Sequence, residues 1–260
     1  LLSLFYYHSL ALEQVAAATP HSHTVEIVDE MIQDINFDNQ YDLVGISCLT
    51  CNAYRAYEIA DEFRRRQIPV VLGGYHPTIL PDEAKQHADA VVIGEAESTW
   101  PQLLMDFQNK KLLPFYCPSS FVDPAAIPPA KRCEKNKTLG PISIQIARGC
   151  PTQCAFCSMN RIEGSIYRPR PIKNVIEEMK TIKEKYLFFT DASLTTNPPH
   201  TKTLFREMRE LNKRFDCYGN INILGRDEEF LTLAADAGCR RWLIGFESIS
   251  QEAIDSVRKK

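Results

Sequence analysis

No run of apolar residues in this sequence is long enough to cross a bilayer, so the reading contains no transmembrane segment. Basic charge is in short supply as well. Lys and Arg number 30 against 33 Asp and Glu, the formal net charge is −3, and no long cationic stretch offers a nucleic-acid surface. Arg64-Arg65-Arg66 closes an expected helix, where cations complement the helix dipole. A secretory leader lacks its basic flank. Leu1 to Leu12 is largely apolar and Ala16-Ala17-Ala18 has the look of a cleavage site, but His8, Glu13 and Gln14 interrupt the apolar face, and a buried amphipathic helix is expected instead. The nine cysteines are an odd number with no regular framework, which excludes a disulfide scaffold and points to a reducing compartment, the cytoplasm. The sequence has no initiator Met, opens inside one helical pattern and closes inside another at Ser256 to Lys260, so it reads as a fragment of a longer protein.

What is present is an α/β rhythm in a chain of 260 residues, long enough for two cores. Val25 to Asp29 alternates toward a strand, and Leu43 to Ser47, Val70 to Leu72 and Ala90 to Ile93 are compact apolar strands. Ala56, Ile59, Ala60 and Phe63 share one helical face between two of them. Strands alternating with helices predict a parallel, doubly wound Rossmann-like sheet over 1–113. In such sheets ligands sit at the carboxyl ends of the strands. Those ends here carry Ser47 and Thr50, Gly73 and Gly74, and Gly94 and Glu95, the glycines permitting a ligand to approach the backbone closely. Cys48 and Cys51, though spaced as C-x-x-C, read as small packing residues, and His8, His76 and His87 as surface or turn residues.

Residues 114–141 hold six prolines and little hydrophobic periodicity, so they read as an irregular linker. From 142 to 260 the β/α rhythm resumes, with strands expected at Ile142–Ile146, Leu187–Thr190, Cys217–Ile223 and Arg241–Phe246. Four successive β/α units suit part of a parallel barrel, whose site is built at the carboxyl ends of its strands. The loop after the first of these strands carries Cys150, Cys154 and Cys157 in the spacing C-x-x-x-C-x-x-C. A structural zinc site is normally closed by four ligands, and no Cys or His follows within about forty residues; Cys133 lies upstream. Three thiolates suit a four-iron four-sulfur (4Fe-4S) cluster with one iron left open, since cluster irons take one Cys each. Zinc completed by a distant residue is the alternative.

The Cys triplet, with Phe156 just before its last member, resembles the signature of the radical S-adenosylmethionine (SAM) superfamily. The resemblance implies a partial TIM-like barrel of six β/α units. It also implies a 4Fe-4S cluster whose open iron chelates SAM, and reductive cleavage of the sulfonium to a deoxyadenosyl radical. It places the backbone beside Phe156 on the adenine, Thr190 and Asp191 on the amino group, and Asn222 (third strand) and Glu247 (fourth strand) at the ribose or methionine end.

The run Asp42 to Ser47, then Gly73-Gly74-Tyr75-His76-Pro77-Thr78, then Gly94-Glu95-Ala96-Glu97, resembles the cobalamin-binding domain that precedes many radical SAM domains. That likeness implies cobalamin with its nucleotide tail passing Ser47, Thr50, Gly73 and Gly74. The Asp-x-His-x-x-Gly motif that supplies an axial His to cobalt in the mutases is absent here. Together these imply a cobalamin-dependent radical SAM enzyme with a small-molecule substrate, served by a reductant such as flavodoxin or ferredoxin. Its reaction would be methyl transfer to an unactivated carbon or ring formation. The alternative is a corrinoid-binding electron-transfer protein. The sequence singles out no catalytic acid or base.

Overall fold

The computed structural model describes residues 9–132 and 140–259. His8 and Cys133 lie outside the described residues. The described residues divide into two compact units, 11–122 with 130–132, and 9–10 with 123–129 and 140–259.

In the N-terminal unit, helix α1 (Leu10–Ala18) precedes β1 (Val44–Ser47), α2 (Ala53–Arg65), β2 (Val70–Gly73), α3 (Tyr75–Ile79), α4 (Pro81–Gln86), β3 (Ala90–Val92), α5 (Trp100–Gln108) and β4 (Phe115–Tyr116). The strands lie in the order β1-β2-β3-β4, all parallel, with Val44 opposite Val70 and Ala90 opposite Val71. Val70, Val71 and Leu72 are buried, as expected for a strand covered on both faces. The apolar stripe of α2 buries Ala56, Ile59, Ala60 and Phe63.

Phe115–Tyr116 pairs with β3, so the sheet runs on into the stretch assigned to the linker. Val25 to Asp29 forms no strand among the described residues: alternation makes a strand only where a neighbour offers its hydrogen-bonding edge. Glu13 and Gln14, read as interruptions of an apolar face, are buried in α1 together with Ala16, and Glu13 meets Arg132 at 2.7 Å.

The C-terminal unit contains β5 (Ile142–Ile144), β6 (Ala147–Arg148), α6 (Met159–Ile162), β7 (Arg168–Pro169), α7 (Ile172–Thr181), β8 (Tyr186–Phe189), α8 (Pro198–Met208), β9 (Arg214–Tyr218), α9 (Ile221–Leu224), α10 (Glu228–Asp236), β10 (Cys239–Leu243) and α11 (Gln251–Ser256). Its main sheet is parallel in the order β10-β9-β8-β5, the sequential order of a partial β/α barrel. The core sits between this sheet and its helices and is rich in aromatic rings. Phe215 is fully buried, with ring centroids 5.0 Å from Phe189 and 5.6 Å from Phe205. Phe215→Ala is expected to cost about 3–5 kcal/mol, read by denaturant unfolding, because a large aromatic volume is emptied where neighbours on a sheet cannot collapse. The third strand starts and ends earlier than expected. Asn222 therefore leaves the strand and lies in α9, where its N–H meets the Asn220 side chain at 2.9 Å.

Candidate functional site

In the C-terminal unit the site is built on a departure from the sheet. The last ladder bond between β5 and β8 runs from Thr190 N–H to Ile144 O at 2.9 Å, and the Thr190 hydroxyl meets the same carbonyl at 3.3 Å. Beyond Ile144 the chain swings away and pairs antiparallel with β7, Ala147 opposite Pro169 and Arg148 opposite Arg168. The cysteines thus lie on a loop whose two ends are held together. Gly149 turns at φ +80°, where an added Cβ would stand 2.1 Å from Ile166 O, so only glycine fits. Cys150 N–H donates to Gly164 O at 3.0 Å, and Cys157 N–H to Cys154 O at 3.1 Å.

Cys150, Cys154 and Cys157 are partly buried and unpaired with one another. Burial raises the Cys154 thiol, with Cys157 adding to the rise, Lys259 opposing it and Cys150 adding again, so the three thiols feel each other's charge. Among the described residues no three His, Cys, Asp or Glu side chains converge on a point that a single metal ion would occupy. Three thiols spread on one loop fit the donor set of a cluster, which spaces its ligands around several irons.

Phe156 is 55% exposed, with Lys259 Nζ 6.0 Å from its ring centroid, and the adjacent Ala155 N–H donates to Val257 O at 2.9 Å. Glu247 stands at φ +59° and accepts from Lys259 Nζ at 2.7 Å. Asp191 is 3% exposed and turned inward: its carboxylate accepts from Ile146 N–H at 3.1 Å and Ala147 N–H at 2.7 Å. Two arginines beside the loop are also drawn in. Arg170 is 2% exposed and pairs with Glu178 at 2.7 Å, and Arg168 donates to Glu163 O at 2.8 Å.

Burial pushes the Asp191 carboxyl up to about 7, against the pull of amides 146 and 147, from an ordinary value of 3.8. Between those values the folded chain keeps a proton that the unfolded chain has lost. Asp191's contribution to stability therefore falls as pH rises from about 4 to about 7 and is level above that. Asp191→Asn is expected to flatten this part of the profile in thermal unfolding followed against pH.

In the N-terminal unit the strand ends gather the other expected residues. Gly74 has φ +95°, and a Cβ there would lie 2.8 Å from both Cys48 O and Ser47 Oγ. Gly73 is different: its Cβ would meet only Val92, at 3.7 Å, an ordinary van der Waals distance. Gly94 turns at φ +78° and its N–H donates to Thr78 Oγ1 at 3.0 Å. Glu95 is buried and accepts from Val122 N–H at 2.7 Å, a contact that fixes the following loop. Leu49, Tyr75, Ile79 and Leu80, in the segments that follow β1 and β2, are exposed.

His76, read as a surface or turn residue, is 4% exposed. Its ring meets Thr50 Oγ1 at 3.2 Å, Tyr57 OH at 2.9 Å and Glu83 Oε1 at 3.2 Å. Thr50 is thereby oriented from within. Sequence reasoning missed His76, Thr78 and Glu163; for His76 and Thr78 the signal was their place directly after Gly73-Gly74, while Glu163 had none. Cys48 is buried, as expected of a packing residue, and Cys51 is exposed.

A parallel sheet with glycines at its carboxyl ends, followed by a parallel barrel segment that opens on a three-cysteine loop, makes up this α/β protein. Residues 3–104 match the model of the B12 binding domain and residues 144–260 that of the Radical SAM superfamily. The chain belongs to the radical SAM proteins that carry a B12-binding domain. It is 37% identical to bacteriochlorophyllide d C-8(2)-methyltransferase of Chlorobaculum tepidum, over 96% of this chain and 60% of that protein. It is 31% identical to bacteriochlorophyllide d C-12(1)-methyltransferase of the same organism, over 96% and 58%. The chain thus spans about 60% of the length of these relatives. In fold it is similar to the radical SAM methyltransferase TsrM of Kitasatospora setae, solved with tryptophan and a SAM analogue, with a TM-score of 0.77 at 20% identity over 97% of this chain and 59% of that one.

Proposed function

We propose that the full-length protein is a cobalamin-dependent radical SAM methyltransferase that alkylates a carbon substituent of a bacteriochlorophyllide-type tetrapyrrole. The observation that carries this reading is the three-cysteine loop at the carboxyl end of β5 in a chain that also presents the glycine-lined strand ends of a B12-binding sheet. The substrate class rests on the two relatives named above. When bound, the cluster supplies a low-potential electron and the corrinoid a methyl carrier.

The domain roles follow: 1–113, with the edge strand β4, for the corrinoid, the rest of 114–141 as connector and 142–260 for the cluster and SAM. Cys150, Cys154 and Cys157 hold the cluster. The backbone beside Phe156, with Thr190, Asn222 and Glu247, faces SAM, while Asp191 serves from behind. Ser47, Thr50, Gly73 and Gly74 flank the nucleotide tail, and Gly94 and Glu95 shape the turn beside it. A flavodoxin or ferredoxin is the electron donor, and the protein works in the cytoplasm. Among the described residues no helix is long and apolar enough to cross a membrane.

The test is anaerobic reconstitution of the full-length protein with iron, sulfide and cobalamin, then turnover with methyl-labelled SAM, a reductant and a bacteriochlorophyllide acceptor. Labelled, methylated tetrapyrrole is the expected product. Cleavage of SAM without label in the tetrapyrrole would overturn the substrate assignment, and no cleavage with iron bound would leave electron transfer as the function.

A further inference from the structure

The chain between β5 and the first cysteine is held from inside by two buried acids on different elements. A strand that leaves its sheet strands its own N–H groups, and buried donors need acceptors. Here the acceptors are side chains. Asp191, at the end of β8, takes Ile146 N–H at 3.1 Å and Ala147 N–H at 2.7 Å, standing in for the ladder that β5 has abandoned. Glu163, just past α6, takes Gly149 N–H at 3.2 Å with one oxygen and the Gln145 side-chain amide at 3.2 Å with the other. Gln145 in turn accepts from Arg148 Nε at 3.0 Å. Asp191 is 3% exposed and Glu163 6% exposed, so neither presents its carboxylate to a ligand in solution.

We propose that Asp191 and Glu163 form a carboxylate clamp, two positioning residues that hold the backbone on either side of Arg148 so that Cys150 enters the cluster loop in one fixed direction. The inference rests on the cluster reading above and deepens it. Four backbone N–H groups, those of residues 146, 147, 149 and 150, have fixed oxygen partners, the last being Gly164 O at 3.0 Å. With β6 paired to β7, the start and the end of the loop are both set before any iron is bound. The clamp lowers the conformational cost of gathering three thiolates, as outer partners do for other metal sites.

The experiment uses the full-length protein with Asp191→Ala, Asp191→Asn and Glu163→Gln, beside Met208→Ala, a core truncation in α8 that weakens the unit without touching the loop. Iron loss to a chelator and the electron paramagnetic resonance spectrum of the reduced cluster are recorded after reconstitution. Amide exchange at residues 146, 147 and 149 is followed in the metal-free protein. Asp191→Ala is expected to lose iron about tenfold faster than the parent, with a broadened spectrum and faster exchange at 146 and 147. Asp191→Asn, which keeps one acceptor oxygen, falls between. Glu163→Gln speeds exchange at 149, and Met208→Ala keeps the parent spectrum. Parental iron retention and spectra in all three acid variants overturn the clamp, as does an equal iron loss in Met208→Ala. A parent protein that binds no iron overturns the cluster reading itself, while exchange at 146 and 147 still reports on the carboxylate contacts.

Discussion

Cys154→Ala in the full-length protein is expected to abolish the 4Fe-4S spectrum and reduce deoxyadenosine formation to background, and Cys150→Ala and Cys157→Ala are expected to do the same. The three sit on one loop with pinned ends, and a cluster short of a protein ligand has no replacement donor among the described neighbours. Cys217→Ala is the informative contrast. Its thiol is fully buried beside Cys239 in adjoining strands, and burial raises its pKa strongly, so it stays a thiol and acts as a packing group. That variant loses stability of about 1 kcal/mol for a small emptied volume while keeping its iron. Iron and sulfide analysis with a SAM-cleavage assay separates the two outcomes; full cleavage by Cys154→Ala would sink the assignment of the triplet.

Gly73→Val and Gly74→Val are expected to fail in different ways, although the residues are neighbours. At Gly74 the backbone is left-handed and a Cβ would stand 2.8 Å from Cys48 O and Ser47 Oγ, so valine strains the strand end and destabilises the N-terminal unit by about 2 kcal/mol or more. At Gly73 the nearest atom to an added Cβ is 3.7 Å away, so the fold accepts the side chain, whose bulk is added at the strand end. Gly73→Val should unfold near the parent temperature yet copurify without corrinoid, as read by thermal unfolding and the cobalamin absorbance. Stoichiometric cobalamin in a folded Gly73→Val would show that the tail does not pass this glycine.

The parallel sheets were legible because their strands are buried on both faces and so read as unbroken apolar runs, as Val70 to Leu72 does. The cluster loop was legible because its three ligands are close in sequence. What escaped the sequence depends on distant partners. Val25 to Asp29 has the alternation of a strand but finds no neighbouring edge, and Phe115–Tyr116 has almost no pattern but finds one. By resemblance Asp191 was expected on the amino group of SAM; its carboxylate instead turns toward amides 45 and 44 residues back in the chain. Glu163 carries no local mark, since its value lies in reaching Gly149. His76 reads as a turn residue beside Pro77, and only the packing of α2 against the strand end buries it against Tyr57.

The sequential order of the C-terminal sheet also bears on when iron can be inserted. During synthesis β5 and the three cysteines leave the ribosome first, whereas β8 and Asp191, which hold that strand's end, follow some forty residues later. At roughly 5–20 residues per second the thiols wait a few seconds without their frame. An iron source that arrives in that interval meets thiols without their frame, and one that arrives after Asp191 has emerged meets a loop already held at its start.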